Sequence, residues 1–342
     1  MQSAARFNDV HDDIIYPSAL PFILVHVACF AAFWTGVPPA ALVLALILYA
    51  ARMFGITAGF HRYFSHKTFK TSRVFQFLLA FLAQTSAQKG VLWWASKHRD
   101  HHRHSDSPED VHSPHQFGLF FAHIGWVYAS KRGKADYSNV KDLAKFPELV
   151  WLDRHIHLPA ILLAAGCFLW GGWAGLVVGF LWSTVALYHG TFAINSLAHV
   201  WGRKRFFTGD ESRNNFCLAL ITLGEGWHNN HHYYMASTRQ GFRWWEFDPT
   251  YWILRLLAVL RIVWDIQEPT PSVLRGERRL SQALVRSAGD RVAEQLRKSE
   301  FRSDELTERA REAAASLVGK TPSLPEVVDR ALAQVGTSQA PN

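Results

Sequence analysis

The chain has 342 residues, 49% of them hydrophobic and 19% charged, with a net charge of +8, which accommodates one large domain or a small helical membrane protein. The basic residues lie between apolar runs and form neither an RNA-binding nor a helix-turn-helix pattern, so anionic lipid headgroups replace nucleic acid as the expected counter-charge. Cys29, Cys167 and Cys217 stand far apart without a CxxC pair, which excludes a disulfide framework.

In chain order, the opening MQSAARFNDVHDDII lacks the basic n-region and cleavage site of a signal peptide, so the first apolar run, Leu20 to Trp34, is expected to stay in the protein. Pro38-Pro39 breaks it, and a second run extends from Ala40 through Phe60 with Arg52 as its one charge. Together they read as a transmembrane hairpin, with Arg52 expected to snorkel to the interface. Val74 to Ala83 is apolar but leads into Gln84, Thr85, Ser86 and Gln88, a pattern that favours a helix lying on the membrane surface. His98 to Glu148 is polar and reads as part of a soluble cap. Leu158 to Trp170 and Ala174 to Ala198 flank Gly171-Gly172 as a second hairpin. Arg62, Lys67, Lys70, Arg73, Arg203, Lys204 and Arg205 flank one end of the hairpins, while the linkers near Pro38 and Gly171 carry no lysine or arginine. Positive-inside counting then places both termini and every histidine cluster in the cytoplasm. Tyr251 to Val263 is too short to span and reads as an amphipathic helix. The charged tail from Pro269 shows helical periodicity over Leu280 to Leu296 and Ser303 to Val318.

The chemistry sits in the histidines. His98, His101 and His102, in WWASKHRDHHRHSD, have helical spacing that puts three imidazoles on one face. The same spacing recurs at His228, His231 and His232 in GEGWHNNHH. His61 and His66 bracket HRYFSH, and His199 closes NSLAH. A closed structural zinc site takes four ligands, so these nine are too many for one ion and suit two. Imidazole adds no negative charge, so oxygen species would balance such a site. Iron is the metal expected, with zinc and manganese left open by ligand type. Asp100, Asp106, Asp110 and Glu225 lie close enough in sequence to orient ligating imidazoles. His104, His112 and His115 fall off the spacing and read as non-ligands; His26, His155, His157 and His189 read as ordinary hydrogen-bonded helix histidines.

The order HRYFSH, HRDHH, NSLAH and GEGWHNNHH, set between apolar hairpins, resembles the membrane-bound fatty acyl desaturases of the delta-9, stearoyl-CoA desaturase-like type. The likeness runs from about Phe54 to Asp248 and includes FGITAGFHRYFSH and AHIGW at 122–126. It implies an all-α membrane protein in which four transmembrane helices in two hairpins carry a cytosolic helical cap. In that cap the nine histidines hold two irons, and Asn195 acts through a bound water. The implied reaction places a cis double bond, delta-9 by type, in a saturated acyl chain, consuming dioxygen and two electrons. It implies an acyl-CoA or acyl-lipid substrate and a separate electron donor, ferredoxin-type or a b-type cytochrome with its reductase. Residues 1–270 form the expected catalytic domain and 271–342 a charged tail, with the bacterial inner membrane as the location.

Candidate walls of the acyl tunnel are Trp93, Trp94, Trp126 and Trp227, although a chain with 14 tryptophans uses many for packing or the interface belt. Ser96-Lys97 departs from the Arg-Asp of animal acyl-CoA enzymes, which leaves the acyl carrier open. Lys97, Lys131 and Arg132 could pair with a carrier phosphate. Two other readings remain: a hydroxylase on the same site, and a metal-binding membrane protein without catalysis. The latter predicts ligands inside the spans, whereas the clusters lie just outside them.

Overall fold

The computed structural model describes residues 16–129 and 135–277, so Lys131, Arg132 and the tail helices expected beyond 277 lie outside the described residues. The described chain is mostly helical, with one two-stranded sheet in which β1 (Lys70–Thr71) pairs antiparallel with β2 (Val263–Trp264). It divides into two units. The larger comprises the described residues up to 203 together with 212–268. The smaller comprises 204–211 and 269–277, where Thr270 caps a single helical turn over Pro271–Leu274 and Lys204 pairs with Glu211 at 2.6 Å.

The larger unit begins with α1 (Tyr16–Ala28), which tightens into a 3₁₀ turn at Cys29–Ala31 and ends by Gly36, whose φ of 69° suits a residue without Cβ. Pro39 opens α2 (Pro39–Phe54) at the position where its missing N–H costs nothing. The helix then widens into π-helical turns over Gly55–Ser65. The 27-residue run Pro39–Ser65 is long and apolar enough to cross a membrane, as is Leu158–His199. Leu20–Thr35 and Arg73–Gln84 are shorter apolar helices. Leu46 and Leu169 are 71% and 85% exposed, side chains that water would not tolerate as a continuous band.

Leu158–His199 is not one straight helix. α6 (Leu158–Ala174) breaks at Gly171 and Gly172, the latter at φ 58°, and the chain turns back. A Cβ on Gly175 would stand 2.2 Å from Cys167 O, an approach possible only if the returning arm lies against the outgoing one. The return runs through a second π-helical stretch, Gly175–Trp182, into α7 (Ser183–Ser196).

Arg52 corrects the snorkelling expectation. It is fully buried, donating to Thr184 Oγ1 at 2.8 Å, Ser183 Oγ at 2.5 Å and the Phe180 and Thr85 carbonyls. It therefore fastens the run Pro39–Ser65 to the run Leu158–His199 instead of reaching for headgroups. Phe180 in the widened turns, Ser183 and Thr184 at the start of α7, and Thr85 at the end of the helix Arg73–Gln84 present those acceptors, which satisfies a buried cation without a carboxylate.

Beyond α2, α3 (Arg73–Gln84), α4 (Val91–His104) and α5 (Pro147–Arg154) pack around Phe60, Phe64, Ala83, Val91, Leu149 and Leu152. Asp153 of α5 caps α4 from a distance, accepting from Leu92 N and Trp93 N at 2.9 and 3.1 Å. Gly90 is needed there, because any Cβ would meet Asp153 Oδ1 at 2.0 Å. The unit closes with α8 (Phe216–Ile221), the short α9 (His228–Tyr233) and α10 (Pro249–Val259).

Candidate metal centre

The nine histidines separate into two groups whose ring nitrogens converge. His61, His66, His98, His102 and His231 form one; His101, His199, His228 and His232 form the other. In the first, Nε2 atoms stand 2.8 Å apart for His66 and His98, 2.9 Å for His98 and His102, 2.9 Å for His102 and His231, and 3.0 Å for His231 and His61. In the second, His199 Nε2 and His228 Nε2 are 3.1 Å apart. The groups adjoin, with the His102 and His232 rings 4.4 Å centre to centre.

Local structure explains the assembly. On α4, His98 and His102 are four apart and share a face, while His101 is turned about 100° from His102 and enters the other group. The spacing predicts one face for all three; the helix divides them. On α9 the pattern is exchanged, since His228 and His232 serve the four-histidine group and His231 the five. His61 and His66 are five apart, a spacing no α-helix stacks. The π-helical turns do stack it, with His66 N donating to His61 O at 3.2 Å.

The convergence fits metal ions. A neutral imidazole carries one N–H and one lone pair, and three of these rings spend the N–H outward. His101 Nδ1 donates to Asp110 at 3.1 Å, His199 Nδ1 to Asp106 at 2.8 Å, and His61 Nδ1 faces Glu225. Their Nε2 lone pairs therefore point inward, the carboxylate–histidine arrangement of metal sites. Nitrogens about 2.1 Å from one ion and at right angles stand about 3.0 Å apart, which matches the spacings. Burial, reinforced by neighbouring imidazoles, holds His66, His98, His102 and His231 well below the usual histidine pKa, so they remain neutral donors.

The carboxylates are themselves secured. Glu225 receives Arg62 at 3.1 Å and Gln240 at 3.1 Å, and Arg62 also meets Asp248 at 2.9 Å. Burial would raise the Glu225 carboxyl, but His61 and Arg62 outweigh it and lower it. Asp110 behaves alike: burial raises it, and His101 and His112 bring it far below the carboxylate range. Asp100 instead pairs with Arg103 and Asn139.

A cavity opens beside the histidines, lined by Met53, Ile56, Thr57, Trp94, Thr191, Ile194 and Asn195 together with His61, His98, His101 and His228. Trp94 stacks on His98 at 4.9 Å and on Phe60 at 5.3 Å. The other tryptophans hold other posts. Trp93 is half-buried at the capped start of α4, Trp227 donates to Phe247 O at 2.9 Å, and Trp126 meets His112 edge-on at 5.5 Å. Lys97 is half-buried on α4. Of the remaining histidines, His104 is exposed, and His115 Nε2 donates to His199 O at 3.0 Å. His26 and His189 go beyond the ordinary helix role, joining His123 in a chain of ring contacts at 3.2 and 3.0 Å. Sequence reasoning missed Arg62, Gln240 and Asp248, for which the only available signal was that Arg62 lies inside HRYFSH.

Comparison with known proteins agrees with this geometry. The fatty acid desaturase family matches residues 22–262. An acyl-CoA C20 Delta5-desaturase from Anemone leveillei is 38% identical over 225 residues, covering 64% of this chain and 70% of its own. An sn-2 palmitoyl-lipid 9-desaturase from Nostoc sp. (strain 36) is 35% identical, over 64% of this chain and 78% of its own. An sn-1 stearoyl-lipid 9-desaturase from Anabaena variabilis is 34% identical, over 74% of this chain and 94% of its own. With its histidines gathered in two groups and its family matched over most of its length, the chain belongs to the fatty acid desaturases and is an oxidoreductase of that family.

Proposed function

We propose that this chain is a membrane-bound di-iron desaturase that introduces a cis double bond into a saturated acyl chain carried by coenzyme A or a lipid. The observation that carries the reading is the division of nine buried or half-buried histidines into two converging groups beside an apolar cavity. Two irons, one held by each group, would supply the oxidising power to break unactivated C–H bonds with dioxygen. Overall, the two adjacent methylenes lose two hydrogens, dioxygen takes up two electrons and two protons from outside, and two waters leave.

The chain's own residues bind, orient and exclude water. Met53, Ile56, Ile194 and Trp94 offer apolar walls, and Thr57, Thr191 and Asn195 place polar atoms along the same cavity. Asn195, set beside His101 and His228 in that lining, is suited to hold a metal-bound water. Delta-9 is the bond position named for several relatives. The reading includes four spans in two hairpins, built from Leu20–Thr35, Pro39–Ser65 and the two arms of Leu158–His199. The reading sets the site and both termini on the cytoplasmic side of a bacterial inner membrane, an orientation that the basic flanks support, within reach of a separate ferredoxin-type or b-type cytochrome donor.

Expression in a host without its own desaturase, followed by mass spectrometry with double-bond localisation, tests the proposal. Monounsaturated chains should form, and should vanish with His101→Ala or His231→Ala. Saturated lipids with the unaltered chain, or unsaturation in both variants, would overturn it.

A further inference from the structure

The two histidine groups are supported by different means, and from this we infer that the loop Asp106–Ser113 is a clasp that governs metal retention in the four-histidine group alone. Asp106 seats His199 Nδ1 at 2.8 Å and Asp110 seats His101 Nδ1 at 3.1 Å, so one short loop backs imidazoles from two elements ninety-eight residues apart in numbering. The loop closes on itself. Asp106 N donates to Asp110 Oδ2 at 2.9 Å, Ser113 Oγ donates to Asp106 Oδ1 at 2.7 Å, and His112 N donates to Asp110 Oδ1 at 3.3 Å. The His112 ring then packs on His101, centre to centre 4.6 Å. Asp106 holds φ at 60°, a conformation that Asp and Asn tolerate best among residues bearing a Cβ. Pro108 and Glu109 at the tip are exposed, while both aspartate carboxylates point inward.

The five-histidine group draws its carboxylate from elsewhere, since Glu225 reaches His61 and is pinned by Arg62 and Gln240. The clasp's two carboxylates reach His101 and His199, both of the four-histidine group. Partners behind ligating imidazoles change metal affinity by roughly 10–100-fold, so each support should act on its own ion.

The inference rests on the two-metal reading, and one titration separates them. Metal-depleted protein in detergent is titrated anaerobically with ferrous iron, and bound iron per chain is counted. The unaltered chain should take up two ions. Asp106→Asn and Asp110→Asn, which preserve shape and the φ preference, should weaken one ion roughly 10–100-fold and leave the other unchanged. Glu225→Gln should weaken the other ion, so that combining it with Asp110→Asn weakens both. Asp100→Asn, on α4 but paired with Arg103, should change neither. Ser113→Ala, a milder cut, should weaken the clasp's ion a few-fold if the aspartate variants misfold. Two ions of unchanged affinity in the clasp variants, or equal weakening of both, overturn the clasp. An unaltered chain that binds no iron overturns the two-metal reading and the clasp with it.

Discussion

The five-histidine and four-histidine groups share two helices with the roles exchanged. α4 gives two imidazoles to the larger group and one to the smaller; α9 gives one and two. What differs is the support behind them. The larger group leans on a buried ion network that joins Arg62, Glu225 and Asp248 across more than 160 residues of chain. The smaller leans, at His101 and His199, on the loop Asp106–Ser113. A site held by long-range burial ties its ion to the stability of the fold, whereas a site held by a loop can lose its ion with the fold intact.

Arg62→Met attacks the first support and should have the largest effect. It leaves Glu225 and Asp248 buried without their cation, a loss of about 3–5 kcal/mol. Thermal unfolding of the purified variant should fall sharply, with the five-histidine group losing iron first. Gly90→Ala strikes both groups together, because its Cβ would displace Asp153 from the start of α4. A cost of about 1–3 kcal/mol should appear in melting, and iron should fall equally at both sites. A selective loss would mean that α4 does not carry the two groups as one body.

Trp126→Ala sharpens the contrast more gently. It removes the edge contact on His112, worth about 0.5–1.5 kcal/mol, and should loosen only the four-histidine group's ion, up to about tenfold. Trp94→Ala, by contrast, opens the cavity wall against His98 and should lower turnover more than iron content. Measuring both quantities in each variant tells wall from support.

The smallest effect concerns acid. Burial would raise the Asp142 carboxyl from 3.8, but hydrogen bonds from Arg99 and Lys67 prevail and hold it at about 2. A carboxyl lowered on folding adds stability above its unfolded value and forfeits it as pH falls through the folded one. The tie that Arg99 makes from α4 to Asp142, Ser65 O and Phe64 O should therefore persist above pH 3.8 and slacken toward about 2. Acid unfolding of Asp142→Asn, compared with the unaltered chain, should show that difference vanish.

The gathering of the nine histidines was legible because they recur at close spacing in four short motifs, and the apolar runs because they are long and nearly unbroken. The partition of the histidines was not. His101 and His102 are neighbours in sequence and part company only through the 100° turn of a helix. His61 and His66 look mismatched until the chain widens to π-helical turns, and nothing in HRYFSH announces that change of pitch. Arg52 was misjudged for a related reason, since its acceptors at Thr85, Phe180, Ser183 and Thr184 lie 33 to 132 residues away. Proximity in sequence singles out Asp100, Asp106, Asp110 and Glu225 alike and cannot choose among them, and Asp100 pairs with Arg103 and Asn139 instead.

X-ray absorption at the iron edge of the purified chain tests the central claim most directly. The account predicts two irons per chain, each in a nitrogen shell at about 2.1 Å with the outer-shell scattering of imidazole rings and no sulfur. A single iron, or a shell without imidazole scattering, would contradict it.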